Sequence, residues 1–126
     1  MILMIGLYAD ADPARRGEFL ECISRNAANT HIEELVVFIE DETTSAVVRE
    51  RFPVLGHPKT RLLEHGRRLT YSQLFAYANL HLKGSAVIIA NADIFFDETL
   101  GLLEEEALAG KMLCLSRWDQ AADGMF

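Results

Sequence analysis

A chain of 126 residues, half of them apolar and a quarter charged, has the length of one domain and the composition of a globular one. It can bury roughly two-thirds of its unfolded surface in a single core. Nineteen acidic side chains against twelve basic ones give a formal charge of −7, so a nucleic-acid backbone would approach against the protein's own field and is not expected as a partner. An anionic small molecule stays within reach if a bound cation, local arginines or backbone N–H groups offset the repulsion.

Cys22 and Cys114 are too few and too far apart for a zinc framework or a disulfide scaffold, and reduced thiols in a cytoplasmic protein are expected. The opening MILMIGLYA lacks a basic leader and is shorter than a membrane span, so it reads as a first strand and no membrane span is expected. Residues 2–8 are continuously apolar, as a strand covered on both faces requires. In DADPARRGEFLECISRNAAN, Asp12 suits the N-cap and Pro13 the first position of a helix whose inward stripe is Phe19, Leu20, Ile23 and Ala27. LVVFI, residues 35–39, is a second buried strand that ends in Glu40, Asp41 and Glu42.

A short helix is expected over 44–51, then a weaker strand in TRLLEH. LTYSQLFAYANLHLKG forms a helix capped by Thr70, with Tyr71, Leu74, Phe75, Ala78 and Leu82 facing inward and Asn79 a polar position touching the strand-end loops. SAVIIA is the next strand, residues 98–109 a further helix, and KMLCLS a last strand. Pro13, Pro53 and Pro58 mark turns, not linkers. Strand and helix alternate almost throughout. The expected fold is therefore one α/β domain over 1–126, three-layered and Rossmann-like, with a mostly parallel sheet and helices on both faces.

In such a sheet ligands bind beyond the carboxyl ends of the strands. Those ends read YADAD, EDE and NADIFFD, and the topology brings the three polar clusters to one edge. Carboxylates gathered there repel one another unless a cation or proton intervenes, and hard oxygen ligands suit magnesium or manganese. Asn91 and Asp93 are two apart and point the same way from an extended segment. Asp97 has two open roles, as a member of that cluster or as the N-cap of the helix after it. Arg67 and Arg68 precede a helix N-terminus, where guanidinium and free N–H groups hold either a diphosphate or neighbouring carboxylates. His31, His57, His65 and His81 show no ligand spacing.

SAVIIANADIFFDETL resembles the stretch of family 2 glycosyltransferases of the A fold in which an apolar strand runs into an Asp-x-Asp motif, a few apolar residues and a helix. MIGLYADADPARRGEFLECISRNAAN is similar to that family's opening strand, loop and helix, EELVVFIEDETTS to its second strand with an acidic end, and LTYSQLFAYAN to the helix before the Asp-x-Asp strand. The likeness runs to about residue 116, and the order of the pieces carries it. It implies a nucleotide-sugar donor with Tyr8 and Asp10 near the base, Asp41 near base or ribose, and Asn91 with Asp93 near the diphosphate. Asp93 would hold the divalent cation. Two departures stand out: Asn91 replaces the first acid, and the acceptor-binding half that usually follows is not in the sequence.

LSRWDQAADGMF sets Trp118 beside Asp119. An aromatic plane next to a carboxylate holds a sugar, and an Asp deprotonates an acceptor hydroxyl in an inverting transfer; the alternative is that Trp118 closes the core and Arg117 pairs with Asp119. Only Asp119 and Asp123 are candidate bases after the Asp-x-Asp region. Two function classes follow. One is a glycosyltransferase or its donor-binding portion, acting on an unknown acceptor; the other is a non-catalytic nucleotide or nucleotide-sugar module that self-associates. A homo-oligomer is expected in either case, since the missing half would leave apolar surface uncovered. A general dinucleotide binder is disfavoured, because the first strand lacks a Gly-x-Gly-x-x-Gly loop.

Overall fold

The computed structural model describes residues 1–8, 10–41, 45–105 and 108–116. Four strands, β1 (Ile2–Leu7), β2 (Glu34–Ile39), β3 (Thr60–Glu64) and β4 (Val87–Asn91), form one sheet in the order β3-β2-β1-β4. Every pairing is parallel, with Ile5 opposite both Val37 and Ala90 and Gly6 opposite Asn91. The two central strands are buried on both faces, which is why their sequences are apolar without alternation. β3 and β4 are edges and only half-buried.

The pleat sends alternate residues into two separate cores. Leu3, Ile5, Leu7, Leu35, Val37 and Ile39 pack beneath Phe19 and Ile23 of helix α1 (Pro13–Ala28), Val48 of helix α2 (Ser45–Arg51), and Leu55 of the 3₁₀ turn Pro53–Gly56. Met4, Val36 and Phe38 pack against Leu74, Tyr77 and Leu82 on and beside helix α3 (Tyr71–His81). Helices thus lie on both faces, and the expected three-layer α/β architecture is observed. No helix among the described residues is long and apolar enough to cross a membrane.

Local chemistry fixes the helix ends. Asp12 accepts the Ala14 N–H at 2.9 Å ahead of Pro13, satisfying a donor that the first turn leaves orphaned. Thr70 and Gln73 form a reciprocal capping box at the start of α3. At the other end of α1 the Lys59 ammonium donates to the Asn29 and Ile32 carbonyls at 2.7 and 2.8 Å, where the helix dipole favours a cation.

Several expected details differ. Leu20 is exposed on α1, and the buried stripe instead contains Phe19, Cys22, Ile23, Asn26 and Ala27. On α3 the inward positions are Leu74, Tyr77 and Ala78, while Tyr71 and Phe75 are 68% and 45% exposed and Asn79 faces solvent. Tyr77 wins its place because its ring meets Phe38 edge-on at 5.0 Å. Residues 98–105 wind as a 3₁₀ helix, not an α-helix. Gly101 lies against the His31 imidazole so closely that a Cβ would come within 2.7 Å of it, and a mid-segment glycine weakens α-helix. KMLCLS adds no strand: residues 111–116 are exposed, Met112 by 75%, and among the described residues β4 is the edge of the sheet. An apolar run fixes no pairing partner by itself.

The segment after β4 is tied to α1 by side-chain amides. Asn26, 1% exposed, donates to the Ile94 carbonyl at 2.8 Å and accepts the Phe96 N–H at 2.9 Å. Asn29 donates to the Phe96 and Asp97 carbonyls at 2.9 and 3.1 Å, and the Arg25 guanidinium stacks 4.3 Å from the Phe95 ring centroid. Asn26→Ala removes two bonds and strands two backbone groups, so it should cost about 2–3 kcal/mol. Urea unfolding checks this; a loss below about 0.5 kcal/mol, the level of an ordinary surface change, would show that other contacts hold the loop.

Candidate functional site

The chain leaves β1 through α1 toward β2 on one face and reaches β4 through α3 on the other. Between β1 and β4 the connections therefore run apart, the place where open α/β sheets generally bind ligands beyond the carboxyl ends of the strands. Tyr8 follows β1 there, 41% exposed, with its ring edge-on to Phe19 at 5.4 Å. Asn91 ends β4 and is exposed; Ala92 is buried and Asp93 half-buried.

Arg15, from the first turn of α1, joins the two sides. Its Nη2 donates to Asp93 Oδ2 at 2.8 Å and its Nη1 to Glu18 Oε2 at 2.7 Å, while the guanidinium lies 5.2 Å from the Phe19 ring centroid. Its hydrogen bonds to Glu18 first and Asp93 second, with one to Tyr8 adding to them, raise its already high pKa, so the charge is fixed. The second carboxylate oxygen of Asp93, Oδ1, is buried without a hydrogen-bond partner. Such an atom is costly unless a donor reaches it. Burial first, and the nearby Asp93 charge second, push the Cys22 thiol up, which keeps it protonated and unreactive.

One turn along the same loop, Asp10, Ala11, Arg16 and Arg51 line a cavity of about 400 Å³. Asp10 Oδ1 accepts the Asp12 N–H at 2.9 Å, and Arg16 Nη1 donates to the Asp10 and Ala11 carbonyls at 2.7 and 2.9 Å. Two arginines in the first turn of α1 oppose its dipole, at about 0.3–1 kcal/mol each. Glu18 and Asp93 offset that for Arg15. Arg16 has no ion pair among the described residues, and neither has Arg51 at the end of α2.

The residues expected at the site are thus divided. Tyr8 and Asp93 meet through Arg15, and Asp10 lines the adjoining cavity. Asp41 is half-buried just after β2, one strand from β1. Arg68 is exposed in the loop from β3 to α3, next to Leu69. The Glu40 carboxylate accepts the Leu69 N–H at 2.9 Å while lying over Gly6, where a Cβ would approach it to 2.6 Å; it pins the loop into α3. Glu42, Arg117, Trp118, Asp119 and Asp123 lie outside the described residues. Arg15, Glu18, Arg16 and Arg51 carry most of the charge here and were not singled out from sequence. The available signal was the cationic first turn of α1.

The donor set does not fit a resident magnesium or manganese ion. Among the described residues no three His, Cys, Asp or Glu side chains converge, Asn91 is neutral, and the guanidinium of Arg15 already occupies one oxygen of Asp93. A divalent ion on the other oxygen would meet that fixed positive charge at close range.

Asp97 resolves to a cap. Its Oδ1 accepts the Thr99 N–H at 3.0 Å and the Thr99 hydroxyl, and these bonds hold its carboxyl below the usual range. Its contribution is therefore present above the unfolded carboxyl value of about 3.9 and fades as pH falls through the lower folded value. Asp97→Ala should lose about 1 kcal/mol at pH 7, or roughly 4 °C in Tm. Scanning calorimetry should show the gap to wild type closing toward pH 3; a pH-independent gap would remove the carboxylate from the explanation. Compared with family models, curated proteins and solved structures, the chain gives no match in any of the three.

Proposed function

We propose that the crevice between β1 and β4 binds a nucleotide-diphosphate sugar, and that the protein is a glycosyltransferase-like donor-binding domain. The observation that supports this most directly is the strand order β3-β2-β1-β4, which opens a crevice at a switch point flanked by Tyr8, Asp10, Arg15, Asn91 and Asp93. In this reading the exposed face of Tyr8 meets the base, held upright by Phe19. Asp41, one strand away, accepts from base or ribose. Transfer to an acceptor hydroxyl is the catalytic extension: a carboxylate, Asp119 in this reading, takes the acceptor proton as its oxygen attacks the anomeric carbon and the diphosphate leaves.

Self-association belongs to the same proposal. Met112, Leu113 and Leu115 are exposed by 75%, 49% and 56%, and a second copy would cover apolar area that a monomer leaves in water. Light scattering at micromolar concentration should give a dimer or larger species; a clean monomer would discard this part.

Calorimetric titration with uridine and guanosine diphosphate sugars tests the binding itself. One of them should bind weakly, and Asp41→Ala should reduce the affinity about fivefold, the value of one neutral hydrogen bond near 1 kcal/mol. Heat-silent titrations across the whole panel would reject the nucleotide-sugar reading.

A further inference from the structure

The ion pair that defines the crevice leaves its charge problem unsolved. Arg15 is shared between Asp93 and Glu18, so that cluster carries one guanidinium against two carboxylates and repels a diphosphate. Among the cations with no carboxylate partner in the described residues, Arg16 and Arg51 are the two that line the neighbouring cavity. They come from different helices, α1 and α2, in a protein whose net charge is −7. Among the described residues that line the cavity, Asp10 is the carboxylate that stands against them.

We infer that Arg16 and Arg51 form a phosphate-binding site in this cavity, with guanidinium groups doing the charge compensation that a divalent cation at Asp93 would otherwise provide. Three features support it. Arg16 is already oriented: its Nη1 is held by the Asp10 and Ala11 carbonyls, while a guanidinium has five N–H donors in a rigid fork, so Nε and Nη2 remain for a ligand. A side chain fixed before binding loses little rotamer freedom on binding. Arg51 brings a second fork, and two forks match the oxygens of a phosphate or diphosphate. The cavity, at about 400 Å³, falls in the roughly 300–1,000 Å³ range of small-molecule sites. Its wall at Asp10 belongs to the loop that carries Tyr8, so an anion here is adjacent to the crevice proposed for the base.

The inference rests on the nucleotide-sugar reading only for the source of the phosphate, and the test separates the two. Inorganic pyrophosphate and uridine diphosphate are titrated into the full chain by calorimetry, in excess chelator and again with magnesium. Both probes should bind in chelator, magnesium should change the affinity less than twofold, and Arg16→Gln and Arg51→Gln should each weaken binding roughly tenfold or more. Arg51 lies at an exposed helix end, so Arg51→Gln keeps the test informative if Arg16→Gln disturbs the loop; unchanged melting temperature confirms that it is folded. Binding that requires magnesium, is lost in Asp93→Asn and is indifferent to both arginine variants overturns the inference while leaving the nucleotide-sugar reading standing. Arginine-dependent binding of pyrophosphate with no response to any nucleotide sugar does the reverse. No binding of either probe overturns the arginine site outright.

Discussion

The buried amide of Asn26 is the contact on which the geometry of the strand edge at β1 and β4 depends. A primary amide presents one acceptor and two donors in a plane, and here it takes both a carbonyl and an N–H from a single extended segment, Ile94 to Phe96. That pattern imitates a strand partner. It lets a loop with no sheet neighbour satisfy backbone groups at a site nearly closed to water, where an unmade bond is expensive. Asn26, Asn29 and Arg25 hold this segment along the C-terminal half of α1, and Arg15 grips Asp93 at the N-terminal end. The helix and the end of β4 therefore behave as one unit, and the crevice has a rigid wall.

Rigidity of that wall has an electrostatic consequence. Anion binding as proposed for this acidic protein needs local positive charge, and α1 carries two arginines at its amino end. The two arginines differ only in what they face. Arg15 points across to β4 and is neutralised by Asp93 and Glu18; Arg16 points along the β1 loop and finds only carbonyl oxygens. A one-residue step around a helix rotates the side chain by about 100°, enough to turn a structural ion pair into a cation without a carboxylate.

Sheet order does the rest. With β1 and β2 central, the sheet has an interior apolar enough to need no alternation, and the amino ends of α1 and α3 both lie toward the carboxyl edge because each follows a parallel strand. Polar residues can gather at that edge because it is the end where strands stop and helices begin, so burial ceases there while the backbone stays fixed. Glu40 shows that not every acid at the edge is available: packed over Gly6 and bonded to Leu69, it joins β2 to the start of α3.

Much of the fold was legible in the sequence because it is local. Continuous apolar runs at 2–8 and 35–39 mark strands covered on both faces, Asp12-Pro13 and Thr70 mark helix starts, and their alternation dictates a parallel sheet between two helical layers. The acidic strand ends and the capping role open to Asp97 were legible for the same reason, since each depends on neighbours within a few residues. What the sequence could not decide was which face of each helix turns inward, whether KMLCLS finds a strand to pair with, and which charges meet. Leu20 and Asn26 are six residues apart, yet the amide is buried and the leucine exposed, because only the folded chain brings residues 94–96 against α1. The partner of Asp93 lies 78 positions away at Arg15. Long-range contacts of this kind leave no periodicity to read, and here they alone separate the cation that is spent on an ion pair from the two that face a cavity.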